Sequence, residues 1–156
     1  MNKFLPTSIF LAAATLCAQP PPNFSGAWKL NLAESDYSRP GANKPDGITI
    51  TIQQKGDSLN YRFERQQAGK KGGFEVDLRI GGREYESDAA GVVTAAWKGD
   101  KLEVRTLYNP GQDRQSDQVE TWSLSGGGKQ LIDEVRVHPP HNAAEVVVRR
   151  VLDKTD

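Results

Sequence analysis

The chain has very little cysteine, and this scarcity limits how the protein can be stabilised. Its 156 residues include a single cysteine, Cys17, which lies in the apolar segment near the N-terminus. One cysteine cannot form a disulfide within the chain, although disulfides are a common support of small exported domains. The folded part must therefore be stabilised by its own hydrophobic core, for which it is long enough.

The sequence also lacks a membrane-spanning run and an excess of charge of one sign. A spanning helix needs about 20 consecutive apolar residues, whereas the uncharged segment from Phe4 to Cys17 is shorter and contains Pro6. Basic and acidic residues number 20 each, and the two signs are interspersed. A nucleic-acid-binding protein would be strongly basic along one face. We therefore predict no integral membrane segment in the mature chain and no nucleic-acid partner.

The N-terminal residues have the order that is typical of a secretory signal peptide. Lys3 supplies a positive charge, the apolar segment follows, and three consecutive prolines come next at residues 20–22. Signal peptides show this order of a charged, an apolar and a cleavable part. Ala18 offers the small residue before the cut. We predict a signal peptide over residues 1–18 and a periplasmic or secreted mature protein, from which Cys17 has been removed.

From Ile48 onward apolar and polar residues alternate with a period of two, which indicates half-buried β-strands. The clearest case is residues 74–80, where phenylalanine, valine, leucine and isoleucine alternate with charged residues. Turn residues such as Lys98-Gly99-Asp100 separate successive strands. About ten strands follow one another in this way. Residues 32–37 are the one piece for which we expect a short helix.

A meander of this many strands has exposed edges unless its sheet closes on itself. Closed barrels of about eight to ten strands have interiors that side chains fill or that hold one small ligand. We therefore predict an all-β fold, an antiparallel up-and-down meander barrel of about eight to ten strands. A sandwich of two β-sheets is the alternative. The mature chain divides into a short Pro-rich linker, residues 19–24, and a single barrel domain, residues 25–156.

The two ends of the predicted barrel carry its most distinctive residues. Gly26-Ala27-Trp28 opens the first strand, and residues 147–154 form the last, with Arg150 and Leu152 two positions apart. The opening resembles the Gly-x-Trp segment of the calycins, the superfamily of lipocalins, fatty-acid-binding proteins and avidins. The last strand is similar to that of the fatty-acid-binding proteins, in which an Arg-x-Tyr pair holds a carboxylate inside the barrel. Arg150 matches that arginine, and Leu152 stands where the tyrosine would be.

The resemblance implies roles for three residues near the two ends. In lipocalins a late arginine packs across the Gly-x-Trp indole, so Arg149 or Arg150 is expected to cover Trp28 as a cation–π partner. Trp28 and Arg149 are accordingly structural candidates. Arg150 shares its face with apolar residues and needs a partner there. A salt bridge, the Trp28 ring and the carboxylate of a ligand all remain open for that partner.

Four aromatic residues on predicted inward faces join Arg150 as candidates for ligand contact. They are Tyr61, Phe63, Trp97 and Trp122. Aromatic side chains in a barrel either fill the core or line a pocket, and the sequence leaves both roles open. Asp133 and Glu134 are adjacent in a strand, so that one of them must face inward or lie near a strand end.

No catalytic or metal motif is recognisable in the chain. His138 and His141 flank two prolines, but zinc and copper sites need more ligands than these two. The serines have no base-and-orienter arrangement, so we predict no catalytic residue, no enzyme, no cofactor and no metal. The leading hypothesis is an exported barrel that binds a small hydrophobic or fatty-acid-like molecule. A protein-interaction or inhibitor module on a filled barrel is the alternative.

Overall fold

The described part of the chain is one antiparallel sheet of ten strands that curls into a nearly closed barrel. The computed structural model describes residues 20–87, 91–141 and 143–155, and the predicted signal peptide lies outside these ranges. The strands are β1 (Gly26–Leu30), β2 (Gly47–Lys55), β3 (Ser58–Gln67), β4 (Lys70–Arg79), β5 (Tyr85–Ser87), β6 (Gly91–Lys98), β7 (Lys101–Tyr108), β8 (Ser116–Ser125), β9 (Gln130–His138) and β10 (Val146–Thr155). This architecture confirms the predicted all-β meander barrel over the sandwich.

Neighbours in the chain are neighbours in the sheet, except for β4 and β5, and the first strand also pairs with the last. The order is β4-β3-β2-β1-β10-β9-β8-β7-β6-β5, so the first strand lies between the second and the last. Tight hairpins make this order, and Gly56 and Gly99 supply positive φ angles of 58° and 66° at two of them. The register sets Ile50 opposite Phe63 and Ile52 opposite Tyr61. Apolar side chains therefore accumulate on the inner face.

The sheet ends at β4 and β5, and the seam between these strands is closed in another way. Within the described residues they share no ladder, and one bridge joins Ile80 to Ala95 of β6. The hydroxyl of Tyr85 accepts a hydrogen bond from the Arg79 amide at 3.1 Å and donates one to the Asp77 carbonyl at 3.2 Å. A side chain of β5 thus replaces ladder bonds that the backbone does not make.

One end of the barrel, here called the base, is built on Phe24 and Trp28. Both are fully buried, and the indole N–H of Trp28 donates to the Phe24 carbonyl at 2.9 Å. The Phe24 amide in turn donates to the side-chain oxygen of Gln54 at 2.9 Å. Phe24 lies within the linker that the sequence predicted over residues 19–24, so the packed domain begins before residue 25.

The segment between β1 and β2 continues along the same edge of β10 that pairs with β1, and it contains no helix. The short helix expected over residues 32–37 is instead a turn, followed by a bridge from Asp36 to Arg149. The Asp36 amide donates to the Arg149 carbonyl at 2.7 Å, and the Arg149 amide donates back at 3.2 Å. Serine and aspartate side chains in this segment bond nearby backbone groups, which competes with helix formation.

Candidate functional site

The structure separates the five predicted ligand residues into two places. Trp97 lies at the base, where its ring stacks on Phe24 with centroids 5.9 Å apart. The other four are joined by contacts that run through Phe74: Tyr61, Phe63, Trp122 and Arg150. Trp97 is therefore not brought together with the rest, and its contact with a ligand stays a prediction, as do the contacts of the other four.

Aromatic rings form a continuous row from the base to the opposite end, which we call the mouth. Phe24 meets Trp122 edge-on at 6.0 Å, and Trp122 meets Tyr61 edge-on at 5.2 Å. Tyr61 then meets Phe74, which stacks on Phe63 with centroids 5.0 Å apart. Phe74 ends the row with 44% of its surface exposed. The row fills the barrel at its base and reaches solvent at its mouth.

Arg150 points into the interior and pairs with Asp133. The two residues lie opposite each other on β10 and β9, and Arg150 Nη1 is 2.9 Å from Asp133 Oδ2. The Asp133 side chain is 1% exposed and that of Arg150 is 18% exposed. The guanidinium also lies over the ring of Phe63, 5.6 Å from its centroid. A buried charge needs such partners. The sequence left open whether Asp133 or Glu134 faces inward, and the structure places Asp133 there.

A second carboxyl group, that of Glu120 on β8, faces the same space. The side-chain amide of Gln118 donates a hydrogen bond to it. Burial and the neighbouring charge of Asp133 raise the pKa of Glu120 to about 7, against the opposing effect of Arg150. Burial likewise raises the pKa of Asp133, again opposed by Arg150. Glu120, Trp122, Asp133 and Arg150 are called the interior polar cluster below.

Sequence reasoning did not single out Glu120, although a signal for it was present. Glu120 lies two residues from Gln118 and two from Trp122, so it shares a face of the strand with them, and the sequence predicts that Trp122 faces inward. Asp133 similarly shares a face of its strand with Leu131 and Val135, both of which are buried. A polar residue in phase with apolar neighbours on a strand faces the core. This rule identifies both carboxylates.

Several polar atoms of this region have no hydrogen-bond partner among the described residues. They are Trp122 Nε1, Asp133 Oδ1, Arg150 Nε, Tyr37 OH and Arg65 Nε. The Trp122 indole lies close enough to both carboxyls to favour their charged forms, without a hydrogen bond of full geometry. Buried polar groups are paired with protein, water or ligand in nearly all structures. Three of the five atoms belong to the interior polar cluster.

Two cavities lie at the mouth, along the hairpin of β3 and β4. One is an open cleft with a volume of about 880 Å³, lined by Ile48, Phe63, Arg65 and Phe74 and also by residues of the outer face of the sheet such as Arg62 and Glu64. The second, of about 580 Å³, shares Phe63, Arg65 and Phe74 with the first. Neither cavity is lined by a residue of the interior polar cluster. Phe63 lines both cavities and also carries the guanidinium of Arg150 on its ring. It therefore links the mouth to the interior polar cluster.

The cation over Trp28 is Lys154 rather than an arginine. Lys154 Nζ lies 5.2 Å from the indole centroid, because the register of β1 and β10 sets these two residues opposite each other. Arg149 lies on the outer surface, where its guanidinium donates to the Glu34 carbonyl at 3.2 Å. Arg150 faces the interior. The expectation that Arg149 or Arg150 covers Trp28 is therefore wrong, and Arg149 instead fastens the segment between β1 and β2.

His138 Nε2 lies 2.7 Å from a carboxylate oxygen of Glu145. Over residues 20–87, 91–141 and 143–155, no three His, Cys, Asp or Glu side chains are grouped so that they could hold a metal ion. In the same ranges no helix has the length and apolar character needed to cross a membrane.

Comparisons with known proteins show a shared fold and no sequence family. No protein-family model matches the chain, and no curated protein matches it. The zebrafish ileal bile acid-binding protein, complexed with cholic acid, is similar with a TM-score of 0.56 and 17% identity, over 85% of this chain and 98% of that one. A Schistosoma mansoni fatty acid binding protein, in complex with arachidonic acid, is similar with a TM-score of 0.57 and 18% identity, over 85% of this chain and 96% of that one. Secretory abundant heat soluble protein 4 of Ramazzottius varieornatus is similar with a TM-score of 0.55 and 12% identity, over 88% of this chain and 99% of that one. These similarities establish the calycin-like barrel fold.

Proposed function

We propose that this protein is an exported binding protein that holds one small, mainly apolar molecule in its barrel and catalyses no reaction. The observation that carries the proposal is the interior polar cluster, in which Trp122 Nε1, Asp133 Oδ1 and Arg150 Nε are buried without a hydrogen-bond partner among the described residues. A few polar groups within an apolar enclosure are typical of small-molecule sites, because they orient the guest.

The mouth supplies the apolar part of the proposed site. Phe63 and Phe74 line both cavities, and Phe74 is accessible from solvent. Two structures of this fold are described as complexes with cholic acid and with arachidonic acid. They support a lipid-like molecule as the ligand class to test first, with a fatty acid as one member of that class.

Export is part of the proposal and is supported by the order of residues 1–18. A positive charge, an apolar segment and a small residue precede the three prolines. N-terminal sequencing of the protein from its native source should give a mature start near Gln19, in the periplasmic or secreted fraction. A chain that begins at Met1 and stays with the cytoplasmic fraction would contradict export.

Native mass spectrometry of the purified protein, followed by lipid extraction, tests ligand binding directly. We expect a co-purifying small molecule and saturable binding of a fluorescent lipid probe. Phe63→Ala should weaken probe binding at least about tenfold, since burying one large apolar side chain is worth roughly 2 kcal/mol or more. Leu107→Ala, a deletion of similar size on the outer face of β7, is the control. Absence of both a native ligand and probe binding would refute the proposal.

A protein-interaction or inhibitor module is the second candidate function. The observation that favours it is the exposed Phe74 on the hairpin beside Lys70 and Lys71. Exposed aromatic residues often serve as anchors of protein interfaces. If the delipidated protein retains a partner that Phe74→Ser loses, while lipid probes never bind, this candidate replaces the first.

A further inference from the structure

Two hydrogen bonds of Tyr85 show which backbone groups of β4 face the open edge of the sheet. The Tyr85 hydroxyl bonds the amide of Arg79 and the carbonyl of Asp77 from the side away from β3. In an antiparallel ladder the backbone groups of successive residues point alternately to the two sides. The register of β3 and β4 is regular over the whole hairpin, so the same phase holds along the strand. Every odd-numbered residue of β4 therefore turns its amide and carbonyl away from β3.

Three residues of this set lie on a free stretch of the edge. They are Lys71, Gly73 and Glu75, and β4 is the last strand of the sheet on this side. Over the described residues, no hydrogen bond reaches their amides or carbonyls from the open side. Residues 70–75 are all exposed. These amides and carbonyls form one side of a ladder, and an unpaired edge of this kind is a template for another strand.

The sequence of this edge is complementary to itself. When a second copy of β4 runs antiparallel to the first with Gly73 opposite Gly73, Lys71 of each copy lies opposite Glu75 of the other. These positions all turn their backbone groups to the open side, as hydrogen-bonded pairs require. Opposite charges that face each other across two strands are stabilising. Lysine on an edge strand usually prevents such pairing, and in this register Glu75 removes that obstacle.

The other face of the same pairing covers Phe74. In this register Phe74 of each copy lies opposite Gly72 of the other, on the face of β4 that also carries the buried Val76 and Leu78. A Cβ at Gly72 would meet nothing within 4 Å, so the ring has room above the glycine. An aromatic side chain placed across from an edge glycine is a stabilising arrangement in sheets. Phe74 exposes 44% of its surface, and the pairing removes part of that surface from water.

The free stretch also has the length that this pairing uses. In the symmetric register Gly69 of the second copy lies opposite Asp77, where the Tyr85 hydroxyl begins to occupy the edge. Gly69 belongs to the turn between β3 and β4, so the added strand ends before it reaches Tyr85.

We propose that the free edge of β4 is a self-association surface, through which two copies of this chain form a symmetric dimer with Gly73 at the two-fold axis. Both copies contribute the same residues, so the contact closes on itself at two chains. The proposal is independent of the proposed function, because it uses no residue of the interior polar cluster.

Sedimentation velocity of the mature chain at increasing concentration tests the proposal. Contacts of this small size are weak, so we expect monomer at about 5 µM and a growing share of dimer up to about 500 µM. Amide hydrogen exchange by NMR should show slower exchange at Lys71, Gly73 and Glu75 as the concentration rises. The amides of Gly72 and Phe74, which face β3, should not change. Monomer at every concentration, or no added protection at the three odd-numbered amides, overturns the proposal.

Charge reversal tests the register. Lys71→Glu places like charges opposite each other at both ends of the pairing and should weaken the dimer at least about tenfold, as should Glu75→Lys. An equimolar mixture of the two variants restores both opposite-charge pairs and should dimerise again, and so should the chain that carries both changes. The matched controls reverse exposed charges on other strands, Lys101→Glu on β7 and Glu134→Lys on β9, and should associate like the unchanged protein.

Recovery on mixing is the result that this register requires. If the single variants dimerise as well as the unchanged protein, the contact lies elsewhere and the proposal is wrong. If they lose the dimer and the mixture does not recover it, the two edges do not pair with Gly73 at the centre, which also overturns the proposal. Assemblies larger than two chains would contradict it as well, because they require β4 to pair with a different strand.

Discussion

Replacing Arg150 by methionine would leave the carboxyl groups of Glu120 and Asp133 inside the barrel without their cation. Removing one member of a buried ion pair usually costs about 3–5 kcal/mol. The loss has a ceiling here, because Asp133 can take up a proton instead of staying charged. Protonating a carboxyl with an ordinary pKa near 4 costs about 4 kcal/mol at pH 7 and about 1.4 kcal/mol at pH 5.

We therefore expect Arg150→Met to lose about 4 kcal/mol of unfolding free energy at pH 7 and roughly 1–2 kcal/mol at pH 5. The sign follows from linkage: the folded variant binds a proton that the unfolded chain has released, so its stability declines as the pH rises. Adding Asp133→Leu should recover most of the loss at pH 7, since both buried charges are then gone.

Urea unfolding, followed by the emission of the buried Trp28 and Trp122, measures these values at both pH values. The matched control is Arg105→Met, which breaks a surface pair of the same type: Arg105 Nη2 lies 2.7 Å from Asp117, with the arginine side chain 61% exposed. That change should cost less than about 1 kcal/mol at either pH. Equal losses for Arg150→Met at pH 5 and pH 7, or a loss no larger than the control, would refute the reasoning.

Three smaller changes test other parts of the structure. Glu120→Gln should remove a decline in stability of up to about 3 kcal/mol between pH 4.5 and about 7, where the folded state binds the extra proton; an unchanged slope in urea titrations contradicts this. Tyr85→Phe removes the hydroxyl that forms hydrogen bonds with the backbone of residues 77 and 79. It should lower the unfolding free energy by about 1 kcal/mol and speed amide hydrogen exchange at residue 79. Unchanged exchange there would mean that the seam does not need the hydroxyl. Gly73→Ala puts a Cβ 2.3 Å from the Phe63 carbonyl oxygen and should lower stability by about 1–3 kcal/mol, against no steric loss for Gly72→Ala, whose Cβ meets nothing within 4 Å.

Most of the strands were predictable because one of their faces is buried, which a period of two records directly. Ile48, Ile50 and Ile52 are all buried, as their alternation with polar residues predicts. Closure followed from the need to remove sheet edges. The seam did not, because it depends on where the Tyr85 hydroxyl lies relative to two backbone groups of β4. No pattern within either strand specifies that distance.

The site was only partly predictable, since it joins residues of strands that are far apart in sequence. The resemblance at the last strand identified Arg150 as a candidate. The alternation of faces along a strand meant that one of the adjacent Asp133 and Glu134 had to face inward or lie near a strand end. Which residue meets Arg150 depends on the register between β9 and β10, which tertiary packing sets. The same holds for Lys154 over Trp28, where the register of β1 and β10 decides the partner.

The pairing of the first strand with the last also governs the order in which the barrel can form. Ala27 lies opposite Thr155, and the threonine hydroxyl donates to the Ala27 carbonyl across 128 positions of sequence. Contacts between such distant residues form slowly, because a long loop must be closed first. A ribosome has to release nearly the whole chain before β10 can reach β1. Until then the polypeptide cannot complete its sheet, so two edges of the unfinished sheet, β1 and the last strand made, remain without a partner.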